Sequence, residues 1–166
     1  MSKHFFYKIW SPWPAWLGYS LAFFVPLALF AIIQSTRTLP DPDTFYHMKM
    51  ALLLKEQLVV RDFLWLPFTT LAKNFADHHY LYHLILVPFV VGFGPVVGMK
   101  VASAIFAALA VLLMQITLKV YRVKYALWYT MMFLGSGGFI FRLNLGKTTA
   151  LSLCVVFLAI IFWEKC

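Results

Sequence analysis

The sequence predicts an all-α membrane protein with about five transmembrane helices and a long first external loop that carries amphipathic interfacial helices. Three observations predict it. The 166 residues are 63% hydrophobic and only 12% charged, whereas globular chains run at roughly 45–50% apolar and about 25% charged. Apolar stretches of about 20 residues recur along the chain, the length needed to cross a hydrocarbon core about 30 Å thick. Five of the six acidic residues, Asp41, Asp43, Glu56, Asp62 and Asp77, fall between the first two of those stretches.

The first stretch, residues 16–33, follows Lys3 and Lys8. It is too long for the apolar core of a cleaved signal peptide and no small-x-small site follows it, so it reads as an uncleaved signal anchor, with Pro26 tolerated as a kink. The second, residues 80–97, is interrupted by Pro88, Gly92, Gly94 and Pro95. The third, residues 101–118, is alanine-rich and free of charge. The fourth, residues 125–141, contains "GSGG" at 135–138, small residues of the kind that let helix backbones approach closely in lipid. The fifth is residues 148–163. Residues 1–166 thus form a single transmembrane domain, residues 34–79 its external loop, with no repeat, low-complexity linker or second soluble domain. The closing "IIFWEKC" comes directly after an apolar run, which predicts that this is the N-terminal portion of a longer chain.

The net charge of +8 does not point to nucleic acid. Its cations are scattered singly between apolar segments and form no stripe on a polar face, so membrane lipid phosphates are the expected partners. Cys154, inside an apolar run, and Cys166 give no disulfide framework and read as inert. "LGKTT" at 145–149 is not a phosphate-binding loop, because the glycine required five positions before the Gly-Lys pair is Phe141.

Charge counting leaves the topology open. With the N-terminus inside and five crossings, Lys119, Arg122 and Lys124 lie outside, against the positive-inside tendency. If the broken second segment dips without crossing, they return to the cytoplasm. A third reading keeps "KVYRVK" outside to hold a phosphate.

The chemistry is concentrated in the first loop. "PDPDTFYHMK" at 40–49 reads as a helix start, with Asp41 at the N-cap, Pro42 at the first helical position and Asp43 in the first turn, where negative charge complements the helix dipole. A helix follows to about Gln57, with Phe45, Met48, Ala51, Leu52 and Leu54 on its apolar side, as suits an interfacial helix. Asp43 and His47 are four residues apart and share a face. A carboxylate beside an imidazole can bind a metal or act as base and orienting partner, although an aspartate at a helix start is more often only a cap. The second cluster, "ADHHYLYH" at 76–83, brings Asp77, His78, His79 and His83 to the point where the chain re-enters the membrane, and His79 to His83 is an H-x-x-x-H spacing that puts two imidazoles on one helical face. The plainer reading of this cluster is an interfacial belt of tyrosines and histidines. Between the clusters, Trp65, Phe68 and Phe75 belong to a second short helix or lid that anchors in lipid or stacks on a sugar. No H-E-x-x-H pattern supports zinc hydrolysis.

A signal anchor, then an external loop with "DPDTFYHMKMALLL", then "FADHHYLYHLILVPF", resembles the start of the GT-C membrane glycosyltransferases, the clan of the oligosaccharyltransferase and protein O-mannosyltransferase catalytic subunits, and in particular its bacterial RgtA/B/C/D-like members. The resemblance covers about residues 15–150. It implies that the loop faces the periplasm across a bacterial inner membrane, that the donor is a polyprenyl-phosphate-linked sugar, and that Asp43, with Asp41 as the alternative, works at the reaction centre beside His47. Asp77 with His78 would stand where some members keep a metal or phosphate contact, so Asp43, Asp77 and His79 are the metal candidates and a divalent metal is an open cofactor. The next external loop of metal-dependent members carries acids, whereas here it reads "KVYRVKY"; Arg122 or Lys124 contacting the lipid phosphate is the expectation instead. Two other classes of function stand beside this one: a transporter or channel component, which would keep ionisable groups at the bilayer midplane, and a non-catalytic membrane scaffold.

Overall fold

The computed structural model describes residues 14–166, and every regular element among them is helical: α1 (Ala15–Gln34), α2 (Asp43–Glu56), a 3₁₀ turn (Thr70–Ala72), α3 (Tyr80–Phe93), α4 (Pro95–Val120), α5 (Ala126–Phe133), α6 (Gly137–Asn144) and α7 (Thr149–Lys165). Lys3 and Lys8, the charged flank of the expected signal anchor, lie outside the described residues. Two helices, α1 and α4, are long and apolar enough to cross a membrane, and α6 with α7 makes a third only as a pair bent by 105°. Among the described residues the protein is therefore all-helical with two or three candidate spans, against about five transmembrane helices expected from apolar length.

The difference has local causes. The second apolar stretch is cut at Gly94, whose φ of 82° lies in the left-handed region that glycine enters without steric cost, and Pro95 then opens α4, where a missing N–H costs nothing. The fourth stretch is divided into α5 and α6 at 134–136, with Ser136 extended. A β-carbon built on Gly137 or Gly138 meets no atom within 4 Å, so these glycines are not the close-packing sites that "GSGG" suggests.

The described chain forms two compact units. One comprises residues up to 38 together with 103–145 and 149–166; the other comprises 39–102 and 146–148. In the first, α1 buries Gly18, Ala22, Pro26, Phe30 and Gln34, a stripe at every fourth position of the kind helix geometry places on one face. Gln34 Nε2 donates to the Asn144 carbonyl at 2.9 Å. Thr130 Oγ1 donates to Gln115 Oε1 at 2.8 Å, a buried polar contact between α5 and the alanine-rich α4. Cys154 is buried with its thiol donating to the Phe106 carbonyl.

In the second unit α2 packs against α3. The core under α2 is Met50, Leu53, Leu54 and Val60, with Tyr46, Phe63, Phe75 and Val87 packed against it. The buried face of α2 also takes in Thr44 and His47, while Phe45 is exposed. The amphipathic expectation thus has Phe45 on the wrong side, because His83 of α3 packs against the polar position 47 and the Gly146 turn lies against position 44. In the loop after α2 no second helix forms among the described residues beyond the 3₁₀ turn.

Candidate functional site

Asp41 does cap α2. Its Oδ1 accepts the Asp43 backbone N–H at 2.8 Å and its carbonyl accepts that of Thr44 at 3.2 Å, the pattern by which a side-chain oxygen satisfies orphan donors of the first turn. The cap leaves Oδ2 free for another partner, and Lys147 Nζ takes it at 2.8 Å while also reaching Asp43 Oδ2 at 2.8 Å. Burial pushes the Asp41 carboxyl up, but the Lys147 hydrogen bond, the Asp43 N–H and the Lys147 charge together outweigh it and hold Asp41 below the usual carboxylate range. The same two hydrogen bonds, to Asp41 and Asp43, push Lys147 above the usual lysine value. Asp43, the carboxylate expected at the reaction centre, is the more exposed of the pair, at 61% against 12% for Asp41.

Lys147 is held there by Gly146. A β-carbon at 146 would stand 2.7 Å from both Cγ2 and Oγ1 of Thr44 and 3.0 Å from Met99 Cε, closer than atoms pack, so only glycine lets this turn approach the first turn of α2. In the sequence Lys147 stands only within a motif that fails as a phosphate loop, and that motif does not mark it as a site residue. The signal that points to it is a lone lysine in a short polar break, in a chain whose acids are gathered elsewhere.

His47 does not pair with Asp43. Its Nδ1 lies 2.7 Å from Nε2 of His83, and His83 Nδ1 lies 2.6 Å from Asp77 Oδ2. Asp77 is fixed in turn by the His79 backbone N–H, which donates to Oδ1 at 3.0 Å. Since a carboxylate only accepts, His83 must donate from Nδ1; neutral His83 then accepts at Nε2, His47 donates from Nδ1, and the lone pair of the chain ends up on His47 Nε2. His83 is fully buried and His47 is 4% exposed. Burial first, then the neighbouring His83 and His79, push His47 down to about 4.

The H-x-x-x-H pair is looser than its spacing implies. His79 precedes the first residue of α3 and its ring centroid is 6.1 Å from that of His83, while His78 lies beside His79 at 4.4 Å. No group of three or more His, Cys, Asp or Glu among the described residues is arranged to hold a metal ion. The metal candidates Asp43, Asp77 and His79 are separately engaged: Asp43 with Lys147, Asp77 with His83, His79 in the aromatic surroundings of His47. Among the described residues, therefore, Asp43, Asp77 and His79 do not come together as a metal centre.

Arg122 and Lys124 belong to the other unit, in the turn between α4 and α5. Arg122 has φ 56° and its N–H bonds the Lys119 carbonyl while that of Val123 bonds Leu118, the two bonds of a helix C-terminal cap in which glycine is the usual occupant. Lys124 Nζ stands over the Tyr125 ring at 4.9 Å. Both residues thus have structural roles in this turn.

No protein-family model matches the chain, and neither does any curated protein or solved structure.

Proposed function

We propose that the chain is a membrane glycosyltransferase of GT-C type, or the N-terminal piece of one, which moves a sugar from a polyprenyl-phosphate-linked donor to a hydroxyl of a lipid, glycan or protein at the periplasmic face of a bacterial inner membrane. The observation that carries this reading is the meeting of Asp41, Asp43 and Lys147 in the unit that also holds the Asp77–His83–His47 chain. Sugar transfer needs a carboxylate to accept the acceptor's proton and a cation to stabilise the departing phosphate. In this reading the acceptor oxygen bonds the anomeric carbon, its proton passes to the exposed Asp43, and the carbon–oxygen bond to phosphate breaks with its electron pair leaving on polyprenyl phosphate, whose charge Lys147 meets.

The same ion pair bears on the finer topology. Asp41, Asp43 and Lys147 share one side of the bilayer, so the chain crosses an even number of times between them. If α4 crosses, as its 26 residues allow, the chain returns to the same side between α4 and Lys147, and α3 does not cross. At about 1.5 Å per residue its 14 residues reach about 21 Å, short of a hydrocarbon core about 30 Å thick. In this reading Lys119, Arg122 and Lys124 fall on the cytoplasmic side, in keeping with positive-inside. Lys147, not Arg122 or Lys124, then becomes the phosphate contact.

The test is transfer from labelled polyprenyl-phosphate sugars by the chain in liposomes. Asp43→Asn is expected to lower the rate about 100-fold or more, the scale of general-base catalysis, and Lys147→Met to lower it while Arg122→Gly does not. Transfer undiminished in Asp43→Asn and Lys147→Met removes the assignment.

A further inference from the structure

Between Arg61 and Phe75 the chain leaves the core of its unit and returns. The Phe75 N–H donates to the Arg61 carbonyl at 2.9 Å and the Phe63 and Phe75 rings stack with centroids 4.9 Å apart, both packed on the core under α2. Phe75, which the sequence offered as a lipid anchor, is therefore part of a clasp that closes a loop at its base. Beyond the clasp, residues 64–72 contain no charged side chain, and the charges resume on either side at Asp62 and Lys73.

The tip is turned outward. Leu64 is 75% exposed, Trp65 54%, Leu66 40%, Phe68 99% and Leu71 39%. Its backbone is folded on itself, since the N–H groups of Leu66, Thr69 and Ala72 donate to the carbonyls of Phe63, Leu66 and Thr69, and Thr69 Oγ1 also bonds the Leu66 carbonyl at 2.9 Å. A run of turns that satisfies part of its own backbone and points its large apolar side chains away from the protein presents an exposed apolar patch, and patches of this kind mark interaction surfaces.

We propose that the tip of this loop, Leu64 to Leu71, inserts into the headgroup–acyl boundary of the bilayer that the protein itself spans. The occupant follows from the chain: α4, a candidate span, begins at Pro95 within the same compact unit as the loop, so the lipid surface lies within reach without a second molecule. Trp65, half-exposed under Lys49 Nζ at 5.2 Å, is the residue type that settles at the headgroup level. The irregular backbone confines the tip to the boundary, because such loops are not found exposed to the hydrocarbon core; a depth of roughly 5–10 Å is expected. The inference rests on the membrane character of the chain and not on the proposed sugar transfer.

The experiment uses the whole chain carrying Cys166→Ser, in nanodiscs of phosphatidylcholine and phosphatidylglycerol, with a nitroxide on Phe68→Cys, Leu64→Cys or Leu71→Cys and on the controls Asp62→Cys and Lys73→Cys. Phe68 has no packing to lose, so its replacement does not threaten the fold, and Leu64 supplies the same readout independently. Collision with oxygen relative to a water-soluble nickel chelate is expected to be several-fold higher at 64, 68 and 71 than at 62 and 73. Equal nickel accessibility at tip and control positions overturns the proposal, as does an immobilised label shielded from both reagents, which would mean a protein partner or a second copy on the tip. Either result leaves the sugar-transfer assay unaffected, and loss of transfer in that assay leaves this one standing.

Discussion

Nδ1 of His47 lies 2.7 Å from Nε2 of His83, across 36 positions of sequence. The contact ties α2 to α3 through two buried imidazoles, and Asp77 at 2.6 Å from the far nitrogen of His83 decides which ring donates. Removing that decision is the first prediction. Asp77→Asn replaces an acceptor-only group by an amide and discards a charge-assisted bond, which are worth about 1.5–3 kcal/mol. A loss of stability of that order is expected in thermal or denaturant unfolding of the detergent-solubilised protein, and an unchanged midpoint would show that the chain of bonds does not hold the helices together.

Acid should act on the same contact through His47. Its folded value, pushed down to about 4 mainly by burial, lies below the ordinary histidine value near 6.5 that it regains on unfolding. Between those values the unfolded chain binds the proton that the folded chain refuses. The stability is therefore complete above about pH 6.5 and declines as pH falls toward 4, by at most about 1.4 kcal/mol per pH unit for one proton. The groups that face His47 are His83, His79, Asp77, Asp43 and the Tyr46 and Tyr82 rings. His47→Gln is expected to flatten the slope of midpoint against pH over that window; an equally steep slope in the variant would assign the acid sensitivity to other groups.

The Lys147 contacts are of a different kind, being open to solvent on the Asp43 side. Lys147→Met leaves two carboxylates facing the same point. A double-mutant cycle of Lys147→Met with Asp43→Asn is expected to give only a small coupling, as exposed pairs do, and one that weakens further in high salt. A coupling several times larger would mean that the pair is shielded from water.

Arg122 offers a test that separates capping from binding. It occupies the left-handed position of a helix cap at φ 56°, which costs an ordinary residue about 1–2 kcal/mol. Arg122→Gly is expected to raise the unfolding midpoint by up to about 1 kcal/mol's worth, with binding of polyprenyl phosphate unchanged. Lost binding in a more stable protein would restore Arg122 as a phosphate contact.

Local signals were legible in the sequence and partner choice was not. The cap at Asp41 was readable because an N-cap, a proline and an acid lie within three residues and act through bonds to their own backbone. The membrane character was readable because apolar length survives any rearrangement. The pairs Asp43 with His47 and His79 with His83 were drawn from helical spacing, which says only that side chains share a face. The actual partners, His83 for His47 and Lys147 for Asp43, come from elsewhere in the chain, and their selection depends on how α2 packs on α3 and on Gly146 admitting the 146–148 turn. The breaks that reduce the number of spans were visible as glycines, yet a glycine in an apolar run reads equally as a packing site, and only the space around it distinguishes the two.

That distinction yields the last prediction, on glycines of opposite kinds. At Gly98, on the first turns of α4, a β-carbon would lie 2.2 Å from the Phe89 carbonyl oxygen, 2.5 Å from its carbon and 2.8 Å from Val90 Cα. These are backbone atoms of α3 and cannot rotate away, so Gly98→Ala must part α4 from α3, with a cost at or above the roughly 1–3 kcal/mol of an overpacked core. At Gly138, in α6, the same methyl meets nothing within 4 Å, and the helix gains from losing a glycine, about 0.5–1 kcal/mol in a helix interior and less this near its start. Unfolding midpoints should therefore move in opposite directions, down for Gly98→Ala and slightly up for Gly138→Ala. If Gly98→Ala were tolerated, the close approach of α3 to α4 at the Gly94 turn would be wrong.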